Sequence, residues 1–333
     1  MTRAGEPATP GRPTTPGRPT TPGRALRRPA RLRPGSRVTV LAPSGPADAA
    51  LVAEGCAILA SWDLEVQVTP HALDRHPGFG YLAGQDAARA DDLERAWLDP
   101  GVGAILCARG GYGAQRMVDR PGWAAMAAVP PPVLAGFSDV TALHEAVARR
   151  LGVTTLHAPN VGGTSFTAHP AAQRSLRAAL FGTEPVSSLT APPEEACLVP
   201  GVASGVTAGG NLALLAAGLG TPDGRQSGGF AGCILLLEDV DEEPYRLDRM
   251  LTQLLRSGAL DAVAGVALGT WTACGRPETV RQVMHDRLGG LGVPVAWGLG
   301  FGHTGPQPTF PLGARAELDA TAGTLTFLDP ALA

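Results

Sequence analysis

Residues 134–145, LAGFSDVTALHE, change character at Ser138: an apolar run closes on Gly136-Phe137 and a segment of helical composition begins at once. A strand that turns directly into a helix is the joint of an α/β fold. A serine at that joint has two readings. Ser138, or Asp139 beside it, caps the helix by accepting from a first-turn N–H. Alternatively, Ser138 is a nucleophile lifted above the sheet by a sharp turn, although Val140 stands where the G-x-S-x-G elbow has its second glycine.

The flanking sequence repeats the same joint. RVTVLAPSG (37–45) is a β-branched strand running into a Gly/Pro/Ser turn, and AALVAEGCAILASW follows at helical period. LEVQVTP, the polar-faced helix DAARADDLERAWLD, the strand VGAILCARGGYG and PPVLAGFSD complete the series. Buried apolar runs alternating with helices predict a parallel sheet, whose ligands lie beyond the carboxyl ends of the strands. APSG, ARGGYG and GFSD are therefore expected along one edge. A second α/β unit with a mixed sheet is predicted from AGGNLALLAAGLG, CILLLED, YRLDRMLTQLLRSG, AVAGVALGTW, PETVRQVMHDRL, VPVAWGLGFGH and two closing strands around ARAELDA and GTLTFLD. The division expected is a disordered tail at 1–33, a nucleophile domain at 34–160, a crossover linker at 161–204 rich in Thr, Pro, Ala and Ser, and a C-terminal domain at 205–333.

The tail contains TPGRPTTPGRPTTPGR at 9–24, a hexapeptide repeat that suits extended conformations but offers no core. Up to Arg37 the chain holds nine Arg and one acid, Glu6, so this end is basic and the remainder acidic, within a formal net charge of −3. An acidic body argues against nucleic acid as a partner. No apolar run approaches the ~18 residues of a membrane span, and the first thirty residues lack the apolar segment of a secretory signal. A cytoplasmic protein without a membrane partner is expected. Five scattered cysteines without a C-x-x-C pair argue against a disulfide framework or a zinc site. There is no lysine, which excludes a P-loop, a Schiff base and a Ser-Lys dyad.

Three further stretches carry chemistry. The adjacent glycines of ARGGYG (108–113) suit an oxyanion hole or phosphate cradle, or simply a tight turn. In LLLEDVDEEPYRLDRML, Glu238 and Asp239 close an apolar strand, where an acid needs a partner or a site; the later acids read as a solvated turn pairing with Arg246 and Arg249. GLGFGHTG places His303 at a predicted strand end, either structural or a base. His71, His76, His169 and His285 read as surface groups, His144 is turned away along the helix, and His157 is the rival base.

Taken together, GFSDVT, ARGGYG, AGGNLALL, LEDVDEEPYRLDRML and FGHTGPQPTFPLG resemble the LD-carboxypeptidase family of serine peptidases, which includes murein tetrapeptide carboxypeptidases and microcin C immunity peptidases. The resemblance covers residues 35 to 329. It implies Ser138 as nucleophile, Glu238 as the orienting acid, His303 as general base, and an oxyanion hole from the N–H groups of Asp139, Gly110 and Gly111. It also implies a flavodoxin-like, glutamine-amidotransferase-like N-terminal domain, an active site between two domains, a homodimer, and no metal or other cofactor. Thr304 and Gly305 stand where some members place an acid after the histidine.

The expected activity is hydrolysis of an L,D-amide, with the terminal D-alanine of cytoplasmic murein tetrapeptide as leaving group. Arg109 is a candidate for the substrate carboxylate or an internal salt bridge. Asn211 either binds peptide carbonyls or serves the turn before its helix. The alternative is an immunity-type peptidase acting on aminoacyl-nucleotides, which would need a stacking aromatic such as Phe166 or Phe181 from the crossover. A non-catalytic anion-binding protein leaves the buried acid and histidine unexplained, and an α/β-hydrolase would require the second domain's strands to extend the first sheet.

Overall fold

A computed structural model describes residues 24–333; the repeat through residue 23 lies outside the described residues. Fourteen strands follow in chain order: β1 (Arg37–Leu41), β2 (Glu65–Val68), β3 (Val102–Cys107), β4 (Val133–Gly136), β5 (Thr155–His157), β6 (Leu189–Thr190), β7 (Cys197–Val199), β8 (Val202–Asn211), β9 (Cys233–Val240), β10 (Gly265–Thr272), β11 (Val295–Ala296), β12 (Phe310–Leu312), β13 (Arg315–Asp319) and β14 (Thr324–Phe327). They form two sheets, ordered β12-β5-β4-β3-β1-β2 and β6-β14-β13-β8-β9-β10-β11-β7.

In the first sheet β2, β1, β3, β4 and β5 are parallel, and only β12 runs antiparallel, beside β5. Val38, Val40, Leu106 and Ala135 face one apolar cluster, while Leu41, Ile105 and Leu134 face another. A sheet covered on both faces explains why its strands read as continuous apolar runs. The helices Ala49–Ala60 and Pro170–Phe181 pack into the first cluster, and Asp86–Leu98 and Thr141–Leu151 into the second. The turns after β1, β3 and β4 lie together, as expected for neighbouring parallel strands.

The second sheet is mixed: β8 to β11 are parallel, with antiparallel strands on both sides. Helices Pro244–Arg256 and Pro277–Leu288 cover one face through Leu247, Leu251, Leu254, Val280 and Met284. The other face holds Phe301, Phe310 and Phe327. The second-half strands thus build a sheet of their own apart from β12, which removes the α/β-hydrolase reading.

Three expectations are corrected. Residues 24–33 do not belong to a detached tail. Leu26 N–H donates to Gly313 O at 2.8 Å, Leu32 N–H to Leu180 O at 2.9 Å, and Arg31 N–H to Ala333 O at 3.0 Å. Leu32 is 3% exposed within the first core, where burial of a leucine contributes about 2 kcal/mol. Two leucines among five Arg, two Ala and a Pro at 24–33 leave mean hydropathy low, which hides the segment. The segment 161–204 is likewise not a linker, because Phe166, Leu176 and Leu180 fill the first core while β6 and β7 edge the second sheet. Finally, two pieces of the C-terminal domain return to the first: β12 joins its sheet, and Ala331 and Leu332 enter its core.

Candidate active site

Ser138 follows β4 in a left-handed conformation, φ 66°, which costs a non-glycine residue about 1–3 kcal/mol. It begins a short 3-10 turn, Ser138–Val140, and the helix Thr141–Leu151 continues from it. Neither reading of a side-chain cap applies. No side chain caps either helical segment, and the carboxylate of Asp139 is directed elsewhere, accepting from Ala114 N–H at 2.8 Å. Phe137 N–H donates to Asn160 Oδ1 at 3.3 Å, which helps hold the turn. Strain at one serine whose hydroxyl caps nothing points to a use for that hydroxyl.

Its partner is His303. Ser138 Oγ lies 2.9 Å from His303 Nε2, and His303 Nδ1 lies 2.6 Å from Glu238 Oε2. Glu238 comes from β9 of the second sheet, two residues before the strand ends, and is 0% exposed. With Nδ1–H donating to the carboxylate, Nε2 is left to accept from the serine hydroxyl. His303 is not at a strand end. Strand β11 stops at Ala296, and His303 sits in the loop beyond it, where glycines at 298, 300 and 302 with positive φ break the strand pattern. The loop is pinned on both sides of His303: Thr270 N–H donates to Phe301 O, Gly302 N–H donates to Gln307 Oε1, and the Thr272 hydroxyl donates to the His303 carbonyl. A Cβ on Gly302 would lie 2.8 Å from both Cβ and Oε2 of Glu238, so glycine lets the loop approach the acid.

The electrostatics separate the two candidate bases. Burial disfavours the charged form of His303, but the hydrogen bond and charge of Glu238 outweigh it and raise the pKa above its usual value. His157 is fully buried, bonds Gln307 through Nδ1 at 2.9 Å, stacks on Phe310 at 4.6 Å, and has its pKa driven well below the usual value by burial. It does not reach the serine. His144 Nε2–H donates to Gly136 O, 3.0 Å away, and burial lowers its pKa to about 4.

Glu238 and Asp239 have different fates. Asp239 accepts from Asn211 Nδ2 at 2.8 Å and from the N–H groups of Ala213 and Val240, while burial pushes its pKa up to about 6. Asn211 is correspondingly occupied: its Oδ1 accepts from Leu214 N–H and caps the helix Leu212–Gly218. Asn211 thus takes the structural of its two readings and does not line the cleft. Glu242 pairs with Arg246, as the acidic-turn reading expects, whereas Arg249 lies over the Tyr245 ring instead. Among the described residues no group of three His, Cys, Asp or Glu side chains is arranged to hold a metal.

An open cleft of about 610 Å³ lies over Ser138 and His303. Gly110 and Gly111 form one wall. A Cβ on Gly110 would stand 2.8 Å from Ser138 Cβ, so only glycine lets this turn lie against the serine. Among the described residues no protein acceptor takes the N–H groups of Gly110, Gly111 or Asp139. Arg109 is exposed along the same wall, with Nη1 donating to Pro46 O at 2.6 Å and no carboxylate within salt-bridge distance among the described residues. Two lining residues were expected elsewhere, His169 at the surface and Asp241 among the acids of a solvated turn. His169 borders the cleft beside Gly305, and Asp241 lines it from the loop after β9. Asp241 follows directly from the strand that carries Glu238, whereas His169 arrives through the packing of a distant segment.

This arrangement can deprotonate a hydroxyl next to a carbonyl and present N–H donors to a developing oxyanion. Comparisons with known proteins agree in kind. Models of the LD-carboxypeptidase N-terminal and C-terminal domains match residues 38–158 and 204–318. A putative carboxypeptidase of Streptomyces coelicolor is 57% identical over 92% of this chain and 98% of its own length. A murein tetrapeptide carboxypeptidase of Pseudomonas aeruginosa is 32% identical, over 76% and 86% respectively. Among solved structures, an MccF-like protein from Bacillus anthracis superimposes with a TM-score of 0.80 at 22% identity, covering 90% of this chain and 99% of that one. A muramoyltetrapeptide carboxypeptidase from Oxalobacter formigenes gives 0.74 at 25%, covering 87% and 97%. The two domain models, in order and across most of the chain, place it: this protein belongs to the LD-carboxypeptidase family of serine peptidases.

Proposed function

We propose that the protein hydrolyses the L,D-amide of murein tetrapeptide in the cytoplasm and releases the terminal D-alanine, with Ser138 as nucleophile. The observation that carries this reading is the hydrogen-bonded series Glu238–His303–Ser138, drawn from two sheets and opening on a cleft walled by Gly110 and Gly111. As Ser138 Oγ attacks the carbonyl carbon, its proton passes to His303 Nε2. Glu238 keeps the imidazole in the required tautomer and stabilises the imidazolium. The oxyanion is received by the N–H groups of Asp139, Gly110 and Gly111. The imidazolium then protonates the leaving amine, the C–N bond breaks, and water repeats the sequence on the acyl-serine.

Arg109 receives the carboxylate of the departing residue. A guanidinium carries five N–H donors, and only one is engaged with Pro46. The choice of a murein peptide leans on the Pseudomonas relative named for that substrate. The aminoacyl-nucleotide alternative has less support, because Phe166 is fully buried and Phe181 packs against the first core, leaving neither to stack a base. A homodimer belongs to the reading through the family resemblance, and light scattering measures it. The test is incubation with murein tetrapeptide and with aminoacyl-nucleotides followed by mass analysis. Release of D-alanine from the first alone is expected; cleavage of the second alone removes the murein assignment.

A further inference from the structure

One peptide unit beside the site is held at both ends by buried charges. The Gly113 carbonyl accepts from Arg89 Nη1 at 2.9 Å, and the adjoining Ala114 N–H donates to Asp139 Oδ2 at 2.8 Å. Arg89 and Asp139 are each 1% exposed. Burying a charge is costly unless hydrogen bonds replace its water, so two charged residues on one peptide call for a reason beyond filling space. Gly113 adopts φ 133°, and a Cβ there would stand 3.0 Å from Arg89 Nη1, so glycine also admits the guanidinium.

The position of this unit supplies the reason. It closes the ARGGYG turn whose Gly110 lies against Ser138, and Asp139 is the residue bonded to Ser138 in the chain. Arg89 also donates to the carbonyl of Pro43 and is paired with Asp86, while Gly45 N–H donates to Gly110 O at 2.9 Å. The turns after β1, β3 and β4 are thereby tied to one another. Neither Arg89 nor Asp139 has its side chain along the cleft.

We propose that Arg89 and Asp139 are positioning residues that grip the Gly113–Ala114 peptide from opposite sides and hold the N–H groups of the glycine turn in register with Ser138. The inference rests on the serine-peptidase reading above and adds to it two side chains that touch no substrate. It differs from a purely structural role in what it changes: the stabilisation of the oxyanion, and not the ionisation of His303 or ground-state binding.

The test compares Asp139→Leu, which removes the acceptor while keeping the branched skeleton, with Asp139→Asn, whose amide oxygen still accepts from Ala114 N–H. Steady-state kinetics on the peptide substrate are read per folded molecule. Losing a whole oxyanion donor costs roughly 10²–10³ in kcat, so a misaligned one in Asp139→Leu is expected to lower kcat by roughly 10- to 100-fold. KM should stay within about threefold, the midpoint of the pH profile should not move, and Asp139→Asn should recover most of the rate. An unchanged kcat in Asp139→Leu, a loss carried by KM, a shifted midpoint, or an equal loss in Asp139→Asn overturns the proposal. If Asp139→Leu does not fold, Arg89→Met releases the same peptide from its carbonyl side and is read in the same way. Failure of both to fold makes the pair a prop of the fold and also overturns it. A wild-type protein inactive on every amide would instead remove the underlying reading, a result seen before any variant is made.

Discussion

The two walls of the cleft are built by different physics. On the first-sheet side the work is done by backbone conformation: a serine at φ 66°, a glycine turn pressed against it, and N–H groups without protein acceptors among the described residues. On the second-sheet side it is done by charge: Glu238 is wholly buried, and its hydrogen bond and charge raise the His303 pKa against the effect of burial. Changes to the first wall should therefore alter rate without moving the pH profile, whereas changes to the second should move both.

The largest effects belong to the residues that join the walls. Ser138→Ala and His303→Ala are each expected to lower kcat by roughly 10⁴–10⁶, and the double variant should lose little more because the pair acts as a unit. An additive double loss would break the comparison by showing independent roles. Glu238→Gln comes next, with a loss of roughly 10³–10⁴ in kcat. Its pH midpoint should also fall, since the carboxylate that raises His303 is gone while burial remains. If Asp239→Asn moved the midpoint and Glu238→Gln did not, the charged wall would have been assigned to the wrong acid.

Gly110→Ala probes the conformational wall. The added Cβ meets Ser138 Cβ at 2.8 Å and Phe137 O at 3.2 Å. A displacement of this order is expected to reduce kcat by roughly 10²-fold with the pH midpoint unmoved, as pH-rate profiles would show. A shifted midpoint would mean that the turn also sets the charge of His303.

Much of this division was legible in the sequence because chemistry-bearing residues sat where one element ends and glycine permits close approach. ARGGYG, GFSDVT and LLLED each combine a terminated apolar run with a polar group that the run cannot hide. Contacts made by chain return were not legible. Three residues, Phe310–Leu312, carry no topological signal, yet they cross to the first sheet and pair with β5. Arg89 sat in a helix with a polar face, and only the packing of that helix shows it to be buried. The glycines around His303 mark it in the sequence, but VPVAW reads as the start of a longer strand, whereas the strand stops at Ala296.

The N-terminal segment gives a smaller effect, on stability alone. Removal of residues 1–33 takes away Leu32 and the bonds of residues 26–32 to Gly313, Leu180 and Ala333. A loss of about 2 kcal/mol is expected, lowering Tm by roughly 4–8 °C with kcat nearly unchanged. An unchanged Tm would show that the segment contributes nothing. The smallest effect is the pH dependence of stability. A histidine whose folded pKa is raised contributes stability that is fully present below the unfolded value of ~6.5 and is lost as pH rises through the folded value. Denaturant titrations above and below neutrality should show this decline in the wild type and a flatter profile in His303→Ala.

Activation of Ser138 by His303 is measured by the rate of its covalent labelling by a fluorophosphonate, mapped by mass spectrometry across pH. A single adduct on Ser138 is expected, at a rate that rises with the loss of one proton at a midpoint above ~6.5, with near-abolition in His303→Ala and no effect of His157→Ala. Labelling at another residue, or an undiminished rate in His303→Ala, would contradict it.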